Sequence, residues 1–123
     1  LQRGAWVLSD RFTDATFAYQ GFGRQLSLDV INTLELLVQN ELRPDKTFLL
    51  DIDVRIGLER AKARAELDRF EQEDIDFFER VRAGYLCRVA ENGDRYAVIN
   101  AENNLATVQS DIEGHLRKIL VSF

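Results

Sequence analysis

Asp10 and Arg11 come one residue after a short apolar run, Trp6-Val7-Leu8, and are the first residues that could do chemistry. An arginine at the end of a buried strand can hold a phosphate or a carboxylate with two parallel hydrogen bonds, because its guanidinium is planar. A surface salt bridge or a helix cap is the simpler interpretation. The pair alone does not decide between them.

Thr16, Tyr19 and Gln20 form a second candidate group. The tyrosine could stack on a planar ring, and the glutamine amide both donates and accepts hydrogen bonds along one ring edge. Most tyrosines near a strand end are simply packed, so this group also needs support from elsewhere.

Arg60, Lys62 and Arg64 form a cationic run beside a dense stretch of mixed charge at 66–71. On a helix Arg60 and Arg64 share a face, whereas Lys62 points nearly the opposite way. Arginines on a mobile arm stabilise the charge of a phosphoryl group in transfer. The alternative is a solvated helix with ion pairs between successive turns.

Other chemical motifs are absent from the sequence. The phosphate-binding pattern GxxxxGK[ST] does not occur, and neither do CxxC, HExxH or GxSxG. His115 and Cys87 have no ligand or base partner at a suitable spacing. We therefore expect both to be structural and predict no metal ligands.

Strands and helices must position the candidate residues. Three apolar runs predict buried strands, at 6–8, 47–52 and 96–99. Apolar residues at helical spacing predict helices over 26–42, over 54–65 with Asp53 as its cap, after Glu71, and over about 105–120. A turn is predicted at Asn92-Gly93-Asp94.

Strands that alternate with helices predict an α/β domain with a mostly parallel sheet. Ligands of such sheets lie outside the C-terminal ends of the strands. The residues expected to border a site are therefore Asp10-Arg11, Asp51, Asp53 and the segment after Ile99.

Composition narrows the classes of protein. The chain has 123 residues, of which 46% are hydrophobic, and a net charge of −5, so it has enough apolar residues for a core and is a poor candidate for binding nucleic acid. No apolar run approaches the roughly 20 residues of a membrane helix.

The single cysteine excludes an internal disulfide, which favours the cytoplasm. A sequence without methionine suggests part of a longer product.

Taken together, these motifs resemble the thymidylate kinase family. Asp10-Arg11-Phe12 is similar to the family's Asp-Arg-Tyr/His element, and Thr16 to Gly21 with Gly23-Arg24 to its Ala-Tyr-Gln-Gly-x-Gly-Arg stretch. Arg43-Pro44-Asp45 before Leu49-Leu50-Asp51, and the stretch from Gly57 to Glu71, resemble its Arg-Pro-Asp strand and its LID. The resemblance extends from Trp6 to the last helix.

The resemblance implies a P-loop NTPase-type three-layer α/β fold with a parallel sheet. Residues 1–123 would be the C-terminal part of a single nucleotide-kinase domain, with three strands, flanking helices and a LID at about 60–72. The implied reaction transfers the γ-phosphoryl group of ATP to dTMP in the presence of Mg²⁺. The enzyme would be a cytoplasmic homodimer. Neither nucleic acid nor a membrane would be among its partners.

The resemblance also implies a role for each candidate residue. Arg11 would hold the dTMP phosphate, Asp10 would order the magnesium-bound waters, Thr16 and Gln20 would face thymine, and Tyr19 would pack near the sugar. Arg64, with Arg60 or Lys62 nearby, would reach the ATP phosphates. The nucleotide sites would be bordered by Arg69, Phe70 and Glu71, and adenine by the backbone of Asn100, Ala101 and Glu102.

The family's P-loop, its Glu-Pro element and its thymine-stacking Phe with an Arg precede the matching region. We therefore expect this chain to be the C-terminal part only. In the family's sheet the P-loop strand separates the segment at 6–9 from the one at 47–52, so we expect the polypeptide alone to fold poorly or associate, and to lack kinase activity. Two alternatives stay open: another nucleoside or nucleotide kinase of the same fold, and a non-catalytic binding or dimerisation fragment.

Overall fold

The computed structural model describes residues 2–40, 42–65 and 71–122. Along the chain, α1 is Thr13–Thr16, a π-helix is Phe17–Gly23, α2 is Leu28–Gln39, β1 is Thr47–Asp51, α3 is Val54–Ala65, α4 is Gln72–Glu91, a short 3₁₀ turn is Gly93–Arg95, β2 is Tyr96–Asn100 and α5 is Leu105–Val121. The predicted alternation of strands and helices is confirmed from β1 onward.

The sheet consists of β1 and β2, which run parallel. Thr47 lies opposite Tyr96 at one end, and Asp51 lies opposite Asn100 at the other. Because the two strands are parallel and in register, their C-terminal residues meet at the same edge. The sequence predicted both strands to within about two residues.

The third predicted strand, at 6–8, is not confirmed. Trp6, Val7 and Leu8 form no ladder with another described strand, and Leu8 is 97% exposed. A strand is stabilised by hydrogen bonds to a neighbouring backbone and by burial of its side chains. No described strand pairs with this segment, and the side chains of Trp6, Val7 and Leu8 are exposed.

The stretch between Phe12 and Arg24, for which the sequence suggested no regular element, folds as α1 followed directly by the π-helix. π-helices are rare and are frequently found at functional sites. A Cβ atom on Gly21 would lie 2.6 Å from Leu28, and one on Gly23 would lie 2.8 Å from both Phe77 and Val81. These glycines therefore permit close packing of the π-helix on α2 and α4.

The core lies largely where α4 crosses the π-helix. A Cβ atom on Gly84 would lie 2.8 Å from the Cα of Ala18, so the two backbones touch. Ala18 is fully buried, and the other buried apolar residues are Ala15, Phe17, Ile31, Leu49, Val54, Val81, Tyr96, Ala97 and Ile99. This packing places the segment from Thr13 to Gly23 on the central helix of the described fold.

Helix ends agree with the sequence in some cases. Asp53 caps α3 as predicted, with its Oδ1 accepting from the backbone N–H groups of Arg55 and Ile56. Ser27 precedes α2, but its side chain makes no capping hydrogen bond. The helix ends at Asn40, whose φ is 52°, several residues before Pro44. No helix in the described part of the chain is long and apolar enough to cross a membrane.

Candidate functional site

The C-terminal end of β1 carries a bidentate ion pair. Arg82 of α4 donates from Nε to Asp51 Oδ1 over 2.9 Å and from Nη2 to Asp51 Oδ2 over 3.1 Å. The hydrogen bond with Asp51 is the main cause that raises the pKa of Arg82, and the charges of Asp53 and Glu102 add to it. The sequence singled out Asp51 by its place after an apolar run, whereas Arg82 was not among the predicted site residues.

The strand-end loop, residues 100–102, lies beside this pair. The Ala101 N–H donates to the carbonyl of Asp51 over 2.8 Å, and the Glu102 N–H donates to Asn100 Oδ1 over 3.0 Å. Glu102 Oε1 accepts from the Asp53 N–H over 3.1 Å. The loop is therefore tied to the residues that follow β1.

Arg60 reaches the same loop from α3. Its Nη1 donates to the Ala101 carbonyl over 2.6 Å, and its Nη2 donates to the Glu102 carbonyl over 2.7 Å. The structure thus brings together Arg60 and the segment Asn100-Ala101-Glu102, which the sequence analysis assigned to the same nucleotide. Arg64, one turn later, is exposed and makes no ion pair with any described residue.

Arg11 and Tyr19 form a second group. The guanidinium carbon of Arg11 lies 4.6 Å from the centroid of the Tyr19 ring, which is a cation–π contact. Arg11 has a φ of 60°, a left-handed conformation that is uncommon for a residue with a side chain. Asp10, next to it, is exposed. The contact holds the guanidinium against the π-helix, and Arg11 as a whole is exposed.

Tyr19 stands edge-on to two rings of α4, at centroid distances of 6.1 Å from Phe77 and 6.3 Å from Tyr85. Burial raises the pKa of Tyr85, with a further contribution from Tyr19 and an opposing one from Arg11. Tyr85 was not among the predicted site residues. It lies on α4, distant in sequence from Tyr19, and the helical pattern of α4 does not indicate which ring it contacts.

Thr16 and Gln20 lie on the same two short helices as Tyr19. Thr16 is exposed and Gln20 is half-buried. Neither side chain forms a hydrogen bond with another described residue, so a hydroxyl and an amide are available beside Tyr19. No hydrogen bond or ion pair within the described ranges joins this group to the strand-end loop.

Three further predicted residues, Arg69, Phe70 and Glu71, come from the segment for which the family resemblance implies a LID. Arg69 and Phe70 lie outside the described residues. Glu71 precedes α4 and forms a reciprocal capping box with Asp74, in which the Glu71 N–H donates to Asp74 Oδ2 over 3.1 Å. Its carboxylate therefore has a structural role at the start of α4.

A buried ionic cluster, which the sequence analysis did not predict, lies at the other end of β2. Arg95 binds both carboxylate oxygens of Asp14, over 3.0 and 2.9 Å, and the Tyr96 hydroxyl donates to Asp14 over 2.6 Å. Arg88 lies 3.6 Å from Asp14 and donates to Glu35 over 2.7 Å. The partners of Asp14 are distant in sequence, so no local pattern indicates the cluster.

Asp14 is charged in this setting. Burial alone would raise its pKa, but the hydrogen bonds from Arg95 and Tyr96 and the charges of Arg95 and Arg88 lower its pKa below the ordinary value. The same burial and the bond to Asp14 raise the pKa of Tyr96. The cluster joins α1 to α4 and to the start of β2, and so supports the helices that carry Thr16 and Tyr19.

Comparison with known proteins decides the family. The family model for thymidylate kinase matches residues 1–112. The chain belongs to the thymidylate kinase family. Its resemblance to that family at the level of motifs is thereby confirmed, and the family's P-loop NTPase fold is represented here by two parallel strands and flanking helices.

Individual thymidylate kinases show the same relation. The chain is 63% identical to the thymidylate kinase of Teredinibacter turnerae over 120 residues, which is 98% of this chain and 58% of that protein. It is 55% identical to the thymidylate kinase of Pseudomonas entomophila and 53% identical to that of Ectopseudomonas mendocina, with 98% of this chain and 57% of each protein covered. The chain thus spans somewhat more than half the length of these relatives.

Proposed function

We propose that this chain supplies the LID and part of both nucleotide sites of a dTMP kinase, which transfers the γ-phosphoryl group of ATP to dTMP and yields dTDP. The observation that carries the proposal is the stacking of Arg11 on Tyr19 in a chain of the thymidylate kinase family. A preorganised guanidinium beside a ring wall suits an acceptor that has both a phosphate and a planar base.

Arg11 would bind the acceptor phosphate. Phosphoryl transfer depends on positioning and on neutralising negative charge, because the protein contributes little covalent chemistry. A guanidinium already held against Tyr19 has less freedom to lose on binding and can present two N–H groups to phosphate oxygens. The proposed role therefore needs both the charge and the fork of Arg11.

Thr16, Gln20 and Tyr19 would recognise the nucleoside. The hydroxyl of Thr16 and the amide of Gln20 have no partner among the described residues, and a pyrimidine edge offers both donors and acceptors. Tyr19 is fixed by Phe77 and Tyr85 and would pack near the sugar. In this arrangement polar groups select the base and an aromatic wall limits the space around the sugar.

Arg64 would act on the donor phosphates. It is exposed near the end of α3, within the segment at about 60–72 that we assign to the LID, and Lys62 provides a second cation nearby. Arg69, Phe70 and Glu71 would border the nucleotide sites. The strand-end loop of Asn100, Ala101 and Glu102 would lie against the adenine through its backbone.

A magnesium ion would enter with ATP. The described residues include no group of three or more His, Cys, Asp or Glu side chains that could hold a metal. Mg²⁺ in kinases needs only one or two carboxylates, because phosphate oxygens and waters complete its shell. Bound there, it would neutralise charge on the transferred phosphoryl group, and the exposed carboxylate of Asp10 could accept hydrogen bonds from its waters.

We further propose that these 123 residues do not phosphorylate dTMP by themselves. The sequence lacks the pattern GxxxxGK[ST], whose backbone N–H groups and lysine hold nucleotide phosphates in P-loop enzymes. Catalysis would need that motif from the part of the relatives' length that this chain does not span.

A chimera tests the function. In it, this chain replaces the matching 120-residue stretch of the Teredinibacter turnerae thymidylate kinase. We expect the chimera to phosphorylate dTMP with ATP in preference to dGMP, dCMP and thymidine. A folded chimera that prefers another nucleotide would favour the alternative kinase, and one that binds dTMP and ATP without turnover would favour the non-catalytic alternative.

We also propose a cytoplasmic homodimer formed through α2. Val30, Leu34, Leu37 and Val38 lie on its outward side at helical spacing, and Leu37 and Val38 are 75% and 78% exposed. A second copy of the chain would cover this apolar face. Light scattering should give a dimeric mass for the chimera and a monomeric mass for its Leu37→Glu variant; a monomeric parent would contradict the proposal.

A further inference from the structure

Arg60 holds two consecutive backbone carbonyls with one guanidinium. The carbonyl oxygens of Ala101 and Glu102 lie 2.6 and 2.7 Å from its two terminal nitrogens. Hydrogen bonds from a charged donor are stronger than those between neutral groups. Because the two acceptors are adjacent in the chain, the contact fixes the direction of the strand-end loop as well as its place.

Other hydrogen bonds also hold the loop. Its amide groups bind the carbonyl of Asp51 and the side chain of Asn100, and the Glu102 carboxylate binds the N–H of Asp53. These contacts come from the last residue of β1, from Asp53 just after it, and from the loop itself. Arg60 supplies the described side-chain contacts from α3, the helix that leads into the LID.

Arg60 and Arg64 therefore differ in what their guanidinium groups do, although the sequence presents them as equivalents. Arg60 is engaged with the loop, whereas Arg64 has no hydrogen bond or ion pair to any residue of the described ranges. We propose that Arg60, unlike the phosphate-binding Arg64 of the proposed function, is a positioning residue, which holds the strand-end loop in the form that receives the base of the phosphoryl donor. This inference rests on the proposed dTMP kinase function.

Chemistry separates the two roles. A cation that acts on phosphates is partly replaced by lysine, because lysine keeps the charge. A guanidinium that bonds two carbonyls is not replaced by lysine, because the single ammonium nitrogen of lysine cannot reach both carbonyl oxygens in the same geometry. The substitution Arg60→Lys thus removes the positioning function and retains the charge.

The kinetic expectation follows from the step that each residue serves. Loss of two charge-assisted hydrogen bonds that shape a donor site weakens donor binding about tenfold or more. In the chimera, Arg60→Lys should raise the KM for ATP by about that factor, with kcat and the KM for dTMP nearly unchanged. Arg64→Ala should instead lower kcat by about a hundredfold or more, because its charge acts on the transferred group.

Amide exchange gives a readout independent of activity. In the nucleotide-free chimera, the N–H groups of Ala101 and Glu102 should exchange faster in Arg60→Lys than in the parent, because the loop opens more often. Arg117→Lys is the matched control, since Arg117 pairs only with Glu113 on the exposed side of α5 among the described residues. It should change neither the exchange nor the kinetic constants.

Each result decides one question. A fall in kcat with an unchanged KM for ATP, or unchanged exchange of the loop amides, would overturn the role of Arg60. A parent chimera without activity would overturn the proposed function, and the exchange experiment would still test the loop. If Arg60→Lys does not fold, Asn100→Ala, which removes a contact inside the loop, should raise the same KM; an unchanged value would overturn the inference.

Discussion

Arg82 donates two hydrogen bonds, of 2.9 and 3.1 Å, to the carboxylate of Asp51 and so joins the middle of α4 to the last residue of β1. Asp53 and Glu102 are close enough for their charges to act on Arg82. The pair therefore fixes α4 at the edge where the strand-end loop begins and offsets one of three negative charges there.

A double-mutant cycle on this pair should reveal a modest coupling. Both side chains are partly exposed, so solvent screens the attraction and we expect about 1 kcal/mol between Asp51→Asn and Arg82→Gln in the free energy of unfolding of the chimera. Urea denaturation of the parent, both single variants and the double variant measures this. A coupling near zero would show that the pair does not hold α4.

Arg11→Ala should reduce kcat/KM for dTMP by about a hundredfold or more, because a phosphate-binding fork is lost. Arg11→Lys should recover only part of that loss. Arg3→Ala is the control, since Arg3 is an exposed arginine close by in the sequence. Steady-state kinetics on the chimera measures all three, and a near-parental value for Arg11→Ala would refute the assignment.

Asp14→Asn should destabilise the chimera by about 3 kcal/mol at neutral pH, because Arg95 loses the carboxylate that balances its charge in a buried site. Glu113→Gln, in an exposed pair on α5, should cost less than about 0.5 kcal/mol. Urea midpoints of both variants measure the difference. Equal effects would contradict the importance of the buried cluster.

The same cluster predicts a pH dependence. The pKa of Asp14 is lower in the folded protein than the value of about 3.9 expected in the unfolded chain. Its contribution to stability is therefore fully present above about pH 5 and is lost as the pH falls through the lowered folded pKa. Urea midpoints between pH 7 and pH 3 should fall less steeply for Asp14→Asn than for the parent.

Two glycine substitutions of the same kind should have opposite effects. Gly84→Ala places a methyl group 2.8 Å from the Ala18 backbone and should cost about 1–3 kcal/mol. Gly114→Ala, within α5, meets no atom within 4 Å and should gain about 0.5–1 kcal/mol. Thermal melts of the two chimeric variants decide this; a Gly84→Ala variant as stable as the parent would exclude the close crossing of α4 and the π-helix.

The sequence predicted the parts of the fold that depend on residues close together in the chain better than the parts that depend on residues far apart. The strands at β1 and β2 and the helices after them were predicted because apolar spacing and caps such as Asp53 are local signals. The segment at 6–8 has an equally apolar run, but no described strand pairs with it. Its identity as a strand depends on a partner backbone, which its own residues do not specify.

The amino-acid sequence by itself determined the family and the residue types of the candidate site, because motifs such as Asp10-Arg11 and Tyr19-Gln20 keep their chemistry wherever they are placed. Only the tertiary structure decided which group each arginine contacts. It placed Arg60 on the carbonyls of the strand-end loop, Arg11 on the ring of Tyr19, and Arg95 on the buried carboxylate of Asp14. The guanidinium groups are chemically identical, so their contacts depend on the groups that folding brings close to them.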